Sequence, residues 1–283
     1  MKKVIVLFVC LIGCMALFAQ NEQQEGDIMA AAGNYSGAEI MYRQCMEQNE
    51  QCLLKLFRLI HDEKIKPQSA AEFYQLIHPL AEKGNAEAQF YLGLMYFQGF
   101  GVAEDNSEGL KWMQKSVEQD YAEAQNELGR MYQLGLGVRQ DFREAINWFE
   151  KSAEQGHIKA QNSLGDLYLN QSGLSKILKK KNNLREAFDW YQKSAEQGNA
   201  IGQYNLGVMC QLGKGVKRNV QDAVVWYQKS ANQGHADAQY NLAEMYEKGQ
   251  GVLKSRDKAV EWYQKAADQG NQKAVSKLKK LKK

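Results

Sequence analysis

Apolar side chains recur along most of this chain at helical spacing, and the pattern itself repeats. In the stretch AQFYLGLMYFQGFGV from Ala88, the residues Ala88, Leu92 and Tyr96 fall at i, i+4 and i+8, one stripe of a helix. Closely similar text begins at Ala124, Gly202 and Ala238. Glycine pairs (Gly99/Gly101, Gly135/Gly137, Gly213/Gly215, Gly249/Gly251) follow and predict a helix stop and a tight turn. A second phrase then appears as NWFEKSAEQG at 147–156, DWYQKSAEQG at 189–198, VWYQKSANQG at 225–234 and EWYQKAADQG at 261–270. Seven residues before each tryptophan stands a good N-cap side chain, Asp105, Asp141, Asn183, Asn219 or Ser255. Gly156, Gly198, Gly234 and Gly270 end this second helix, with Asp120 in the same place once. One helix pair cannot bury its own apolar stripe, so the units must stack.

The spacing predicts an all-α solenoid of antiparallel helix pairs, with repeats at 85–120, 121–156, 157–198, 199–234 and 235–270. A worn copy occupies 49–84, with Ser69 at the cap position and Pro79 placed to kink or shorten its second helix. Residues 20–48 supply an N-terminal helical cap, and 271–283 a lysine-rich capping helix. Glycine inside the first helix (Gly93, Gly129, Gly165, Gly207) costs about 1 kcal/mol against alanine, which points to close approach of a neighbouring helix. The recurring Trp112, Trp148, Trp190, Trp226 and Trp262 are expected as buried inter-helix anchors.

Residues 1–19, MKKVIVLFVCLIGCMALFA, are read as a secretory signal peptide: two lysines, a short apolar run and small Ala19 before polar sequence. A lipoprotein signal with Cys14 acylated is the alternative, against which Met15–Ala19 stays apolar. No later segment is apolar enough to span a bilayer. The mature chain is expected to be periplasmic or secreted.

Of the 283 residues 36 are basic and 33 acidic, and removing Lys2 and Lys3 leaves 34 against 33, which argues against nucleic acid. There is no threonine. The G-x-GV turns lack the third glycine of a dinucleotide loop and no strand precedes them. The four histidines (His61, His78, His157, His235) form no H-E-x-x-H. Two S-x-x-K pairs exist, Ser255/Lys258 and Ser276/Lys279, without the S-D-N or K-T-G partners that serine hydrolysis of this kind needs. No catalytic, cofactor or metal residue is assigned. The mature chain retains Cys45, Cys52 and Cys210. Cys45 and Cys52 flank a corner where the chain doubles back, so a disulfide and two buried thiols are both open readings.

Geometry selects a candidate ligand face on the first helices. At 100° per residue, offsets 2, 6 and 9 from the leading small residue lie opposite the packing stripe. They comprise Phe90, Leu94 and Phe97; Asn126, Arg130 and Gln133; Asn162, Asp166 and Leu169; Tyr204, Val208 and Gln211; and Tyr240, Glu244 and Glu247. The aromatic members are favoured, since they offer binding area at low entropic cost.

The unit A-x-x-x-LG-x-MY-x-x-G-x-GV, followed by A-x-x-WY-x-KSAEQG, resembles the Sel1-like repeat, a relative of the tetratricopeptide repeat. The resemblance implies a right-handed superhelix whose concave face binds a peptide or protein, in an adaptor-like role, and a monomer is expected. It also implies that disulfides cross-link adjacent helices near such corners, and it raises one rival, since some cysteine-rich members are described as β-lactamases. The third unit departs from the pattern at 173–181, where GLSKILKKK replaces the tight turn.

Overall fold

The computed structural model describes residues 20–46, 49–62, 64, 70–170 and 183–281. The signal segment, Ser69 and the 173–181 insertion lie outside the described residues. Fifteen helices and no strand occur among the described residues. After α1 (20–31) come α2 (Tyr35–Cys45), α3 (Glu50–His61), α4 (Ala70–Glu82), α5 (Ala86–Gln98), α6 (Asn106–Val117) and α7 (Ala122–Leu134). They continue as α8 (Phe142–Glu154), α9 (Ile158–Asn170), α10 (Asn183–Glu196), α11 (Ala200–Leu212), α12 (Val220–Asn232), α13 (Ala236–Lys248), α14 (Arg256–Asp268) and α15 (Gln272–Leu281). No helix among the described residues is long and apolar enough to cross a membrane. The chain forms two compact units, the first ending at Ala124 and the second running from Gln125 to Lys283.

In the N-terminal unit, consecutive helices pack as pairs, and α3 reaches past α4 to touch α5. Pro79 lies inside α4, yet that helix reaches Glu82 and is 13 residues long, the same as α5. The expected shortening does not occur: the helix continues for three residues past the proline, and the loss is the single hydrogen bond its missing N–H would have made. In the C-terminal unit, α9/α10, α11/α12 and α13/α14 are the tightly packed pairs, each resting on the next, and α15 closes the stack against α14.

The helix ends follow from their caps. Asp105, Asp141 and Asn219 each accept hydrogen bonds from two backbone N–H groups of the first turn, and Ser255 Oγ accepts from the Lys258 N–H. Asn183 differs: α10 already begins at this residue. Gly213 is left-handed (φ +69°), and a Cβ on Gly215 would lie 2.0 Å from the Leu184 carbonyl oxygen. The second glycine of the turn therefore serves contact with the preceding repeat as well as conformation.

The glycine within the first helix marks where a ring from the second helix lies against it. A Cβ on Gly165 would sit 2.4 Å from the Tyr191 ring, and Gly129 and Gly207 face Phe149 and Tyr227 in the same way. Met113, Phe149, Tyr191, Tyr227 and Tyr263, each one residue after a tryptophan, are at most 1% exposed. Trp112, Trp190 and Trp262 are buried as expected, whereas Trp148 and Trp226 are only half-buried, which corrects the anchor role given to those two. One residue is 100° of rotation, so the helix aims the second residue of the W-aromatic pair at the glycine and leaves tryptophan on the flank. There the lysine three residues on covers each indole, at 3.7 to 4.1 Å for Lys115/Trp112, Lys151/Trp148, Lys193/Trp190, Lys229/Trp226 and Lys265/Trp262.

The recurring polar letters are structural too. Gln203 donates to the Ala195 carbonyl of the preceding repeat and accepts from Gln233 (2.8 Å); Gln239 does the same with Ala231 and Gln269. Ser230 Oγ donates to the Ala200 carbonyl at 2.7 Å. Buried polar groups must find partners, so once the AQ and KSAEQG phrases supply each other's, neither is free to change alone.

Candidate functional site

The two phenylalanines leave the candidate face. Phe90 is 3% exposed and packs among His61, Tyr91 and Tyr121, because α3 covers α5 in the N-terminal unit. Phe97 is half-buried and lies over Gly109 of its own repeat's second helix. Both are packing residues.

In the C-terminal unit the face is half-open and polar. Asn126 is half-buried, and Arg130, exposed, pairs with Glu127 one turn back on α7. Asn162 is 9% exposed; its Nδ2 donates to Asn199 Oδ1 at 3.0 Å, which also accepts the Gly202 N–H. The Oδ1 atoms of Asn126 and Asn162, at the same register of consecutive repeats, are buried and find no hydrogen-bond donor among the described residues. Asp166 accepts from the Tyr191 hydroxyl at 2.5 Å. Tyr204 stacks on the His235 imidazole with centroids 4.7 Å apart and planes 22° from parallel. Tyr227 donates to Gln211 Oε1 at 2.7 Å. Burial raises the pKa of the Tyr204 and Tyr227 hydroxyls, and the Asn241 amide opposes that rise. Tyr240 leans on Tyr263, whose hydroxyl donates to Glu247. Glu244 pairs with Lys248 and Lys277.

Desolvation and carboxylate neighbours push the tyrosine hydroxyls well above their ordinary range, so they act as neutral donors. Burial lowers the His235 pKa, with Asp237 opposing. These groups can grip a polar chain by donors, acceptors and stacked rings. Asn199, His235 and Asn241 belong to the face and are absent from the sequence-derived set. His235 and His157 are also N-caps whose Nδ1 accepts from Ala238 and Ala160, taking the place that Asn85, Asn199 and Asn271 fill elsewhere.

Both S-x-x-K serines have hydrogen-bonding roles within their own helices. Ser255 Oγ is the cap acceptor while Lys258 Nζ sits 5.2 Å from the Tyr246 ring centroid, and Ser276 Oγ donates to the Gln272 carbonyl. Cys45 and Cys52 are joined by a disulfide, with Cα atoms 5.9 Å apart, stapling α2 to α3. Cys210 is a buried thiol that desolvation pushes up to about 11, holding it protonated and inert.

Comparison with known proteins agrees with this repeat architecture. The Sel1 repeat model matches residues 86–121, 122–157, 158–199, 200–235 and 236–271. A Sel1 repeat protein from Oxalobacter formigenes is similar in structure, with 30% identity, TM-score 0.66, and coverage of 80% of this chain and 86% of that one. The protective antigen c5321 of uropathogenic Escherichia coli, which displays an SLR fold, is 31% identical with a TM-score of 0.53 over 92% of this chain. This chain spans 63% of that antigen's length. Comparison with curated proteins finds no significant match. With five matched repeats covering well over half of its length, the chain belongs to the Sel1 repeat family.

Proposed function

We propose that this protein is an exported, non-enzymatic, adaptor-like scaffold that binds a peptide or protein on the first-helix face of its C-terminal unit, the concave face in the family's architecture. The observation that carries the reading is the set of half-exposed rings, Tyr204, Tyr240 and His235, on the first helices of successive repeats, which supply rigid contact area beside the polar side chains of Asn162 and Asp166. Occupation of Ser255 as a cap supports a non-catalytic role, and the Cys45–Cys52 bond supports passage through an oxidising compartment.

Affinity capture from the exporting cell tests the binding face. A partner held by the wild type and lost by Asn162→Ala/Tyr204→Ala, with the C-terminal unit still folded at the temperature of capture, supports it; equal retention by both contradicts it. Mass spectrometry of the mature N-terminus tests export, with a start at Gln20 expected and an acylated Cys14 indicating a lipid anchor instead.

A further inference from the structure

The net positive charge of this chain resides in its last thirteen residues. Residues 271–283 hold six lysines and no acidic residue, while the remainder holds 30 basic against 33 acidic side chains. Folding concentrates part of that charge. In α15, Ala274 and Leu278 are buried, so Lys273 and Lys280 face outward on the end of the stack.

Two adjoining depressions lie beside these lysines. One, of about 370 Å³, runs between α13 and α15 and is lined by Tyr240, Gln272, Lys273, Ser276, Lys277 and Lys280. The other, of about 600 Å³, lies at the ends of the same two helices and the start of α14, where Lys248, Lys254, Arg256 and Lys280 line it together with Glu247, whose charge Lys277 takes up. Lys280 belongs to both, so the cations follow one track. Lys277 is neutralised by Glu244 and Glu247, and Lys248 by Glu244. Lys254, Lys273 and Lys280 form no ion pair among the described residues, and Arg256 donates only to the Leu281 carbonyl there.

We infer that the track formed by Lys273, Lys280, Lys254 and Arg256 is a second docking site, which adjoins the first-helix face at Tyr240, and that its occupant is an extended acidic peptide segment of a partner protein. Uncompensated cations in adjoining grooves attract carboxylates, and the groove between α13 and α15 adds hydrogen-bonding groups (Tyr240, Gln272, Ser276) suited to a peptide backbone. A long polyanion is disfavoured by the rest of the molecule. Nucleic acid or an anionic bilayer would extend past α15 and meet a surface whose balance is slightly negative, whereas a short acidic segment senses only the track.

The test uses the full mature chain and fluorescence anisotropy with labelled octaglutamate and octaglutamine peptides, at about 0.02 M and about 0.5 M salt. Octaglutamate is expected to bind saturably at low salt and release at high salt, and octaglutamine not to bind. Lys273→Glu/Lys280→Glu should weaken binding about tenfold or more, while Lys159→Glu, an exposed change on α9, leaves it intact. Lys254→Glu, in the loop before α14, repeats the test without altering α15 and should also weaken binding. Absence of saturable octaglutamate binding, or equal losses in the Lys159→Glu control, would overturn the site. Lysine-dependent binding to phosphatidylglycerol vesicles that exceeds binding to octaglutamate would overturn the peptide as occupant.

Discussion

The first helix of the first repeat and those of the last two repeats share a sequence pattern but not a role. In α5 every residue from Ala88 to Met95 is buried, and Phe90 is a core ring. At the same register α11 and α13 carry Tyr204 and Tyr240, half-open and hydrogen-bonded or stacked on polar neighbours. The difference is cover: α3, from the worn repeat, lies on α5. A repeat position is thus core or open surface according to what stacks over it. Phe90 and Leu94 stand where the face is closed, Tyr204 and Tyr240 where it is open.

The strongest way to break this comparison is to truncate both rings. Phe90→Ala should destabilise the N-terminal unit by about 3–5 kcal/mol, and Tyr204→Ala the C-terminal unit by only about 1–2 kcal/mol. Hydrogen exchange resolved by helix reads both, and equal costs would mean that Tyr204 is as much a core residue as Phe90. Next comes the W-aromatic pair: Phe149→Ala should cost about 3 kcal/mol or more and Trp148→Ala about 1–2 kcal/mol, measured by thermal unfolding. The reverse order would return tryptophan to the role of anchor.

This pair marks a boundary of what sequence pattern conveys. Helix positions, turns and four of the five second-helix caps are legible because they depend on local spacing, and the repeat multiplies the signal. Which aromatic faces inward turns on 100° of rotation, and tryptophan's size disguises it. The burial of Phe90 depends on a helix about thirty residues upstream in the least regular repeat, which no local pattern reveals. The capping role of His157 and His235 was available, since Asn85, Asn199 and Asn271 stand at the same place. Asn126, Asn162, Tyr204 and Tyr240 follow from helical geometry, whereas the hydrogen bond between Asn162 and Asn199 depends on stacking between repeats.

Smaller effects sharpen the contrast between the two ends. Reducing Cys45–Cys52 should cost about 2–3 kcal/mol at most, the chain-entropy value for so short a loop. It should appear as faster proteolysis within 20–84 with the C-terminal unit unaffected. Uniform proteolysis would show that the ends are not independent. The smallest effect is at His235. Its pKa is lowered on folding, so the unfolded chain takes up a proton first, and stability is lost as pH falls below about 6.5. The loss should stay under about 1 kcal/mol. His235→Asn keeps the cap without titrating, and the melting shift between neutral and mildly acidic pH should shrink in this variant relative to wild type.

Site-specific photo-crosslinking addresses the central claim most directly, with a benzophenone side chain placed in turn at Tyr204 on the open first-helix face, at Phe90 beneath α3, and at Gln228 on the second helix of the fourth repeat. In the exporting cell, the account predicts a discrete crosslinked partner from position 204, lost when Asn126 and Asn162 are changed to alanine, and none from positions 90 or 228. A partner captured from position 228 but not from 204 would place the binding surface on the second helices and contradict it.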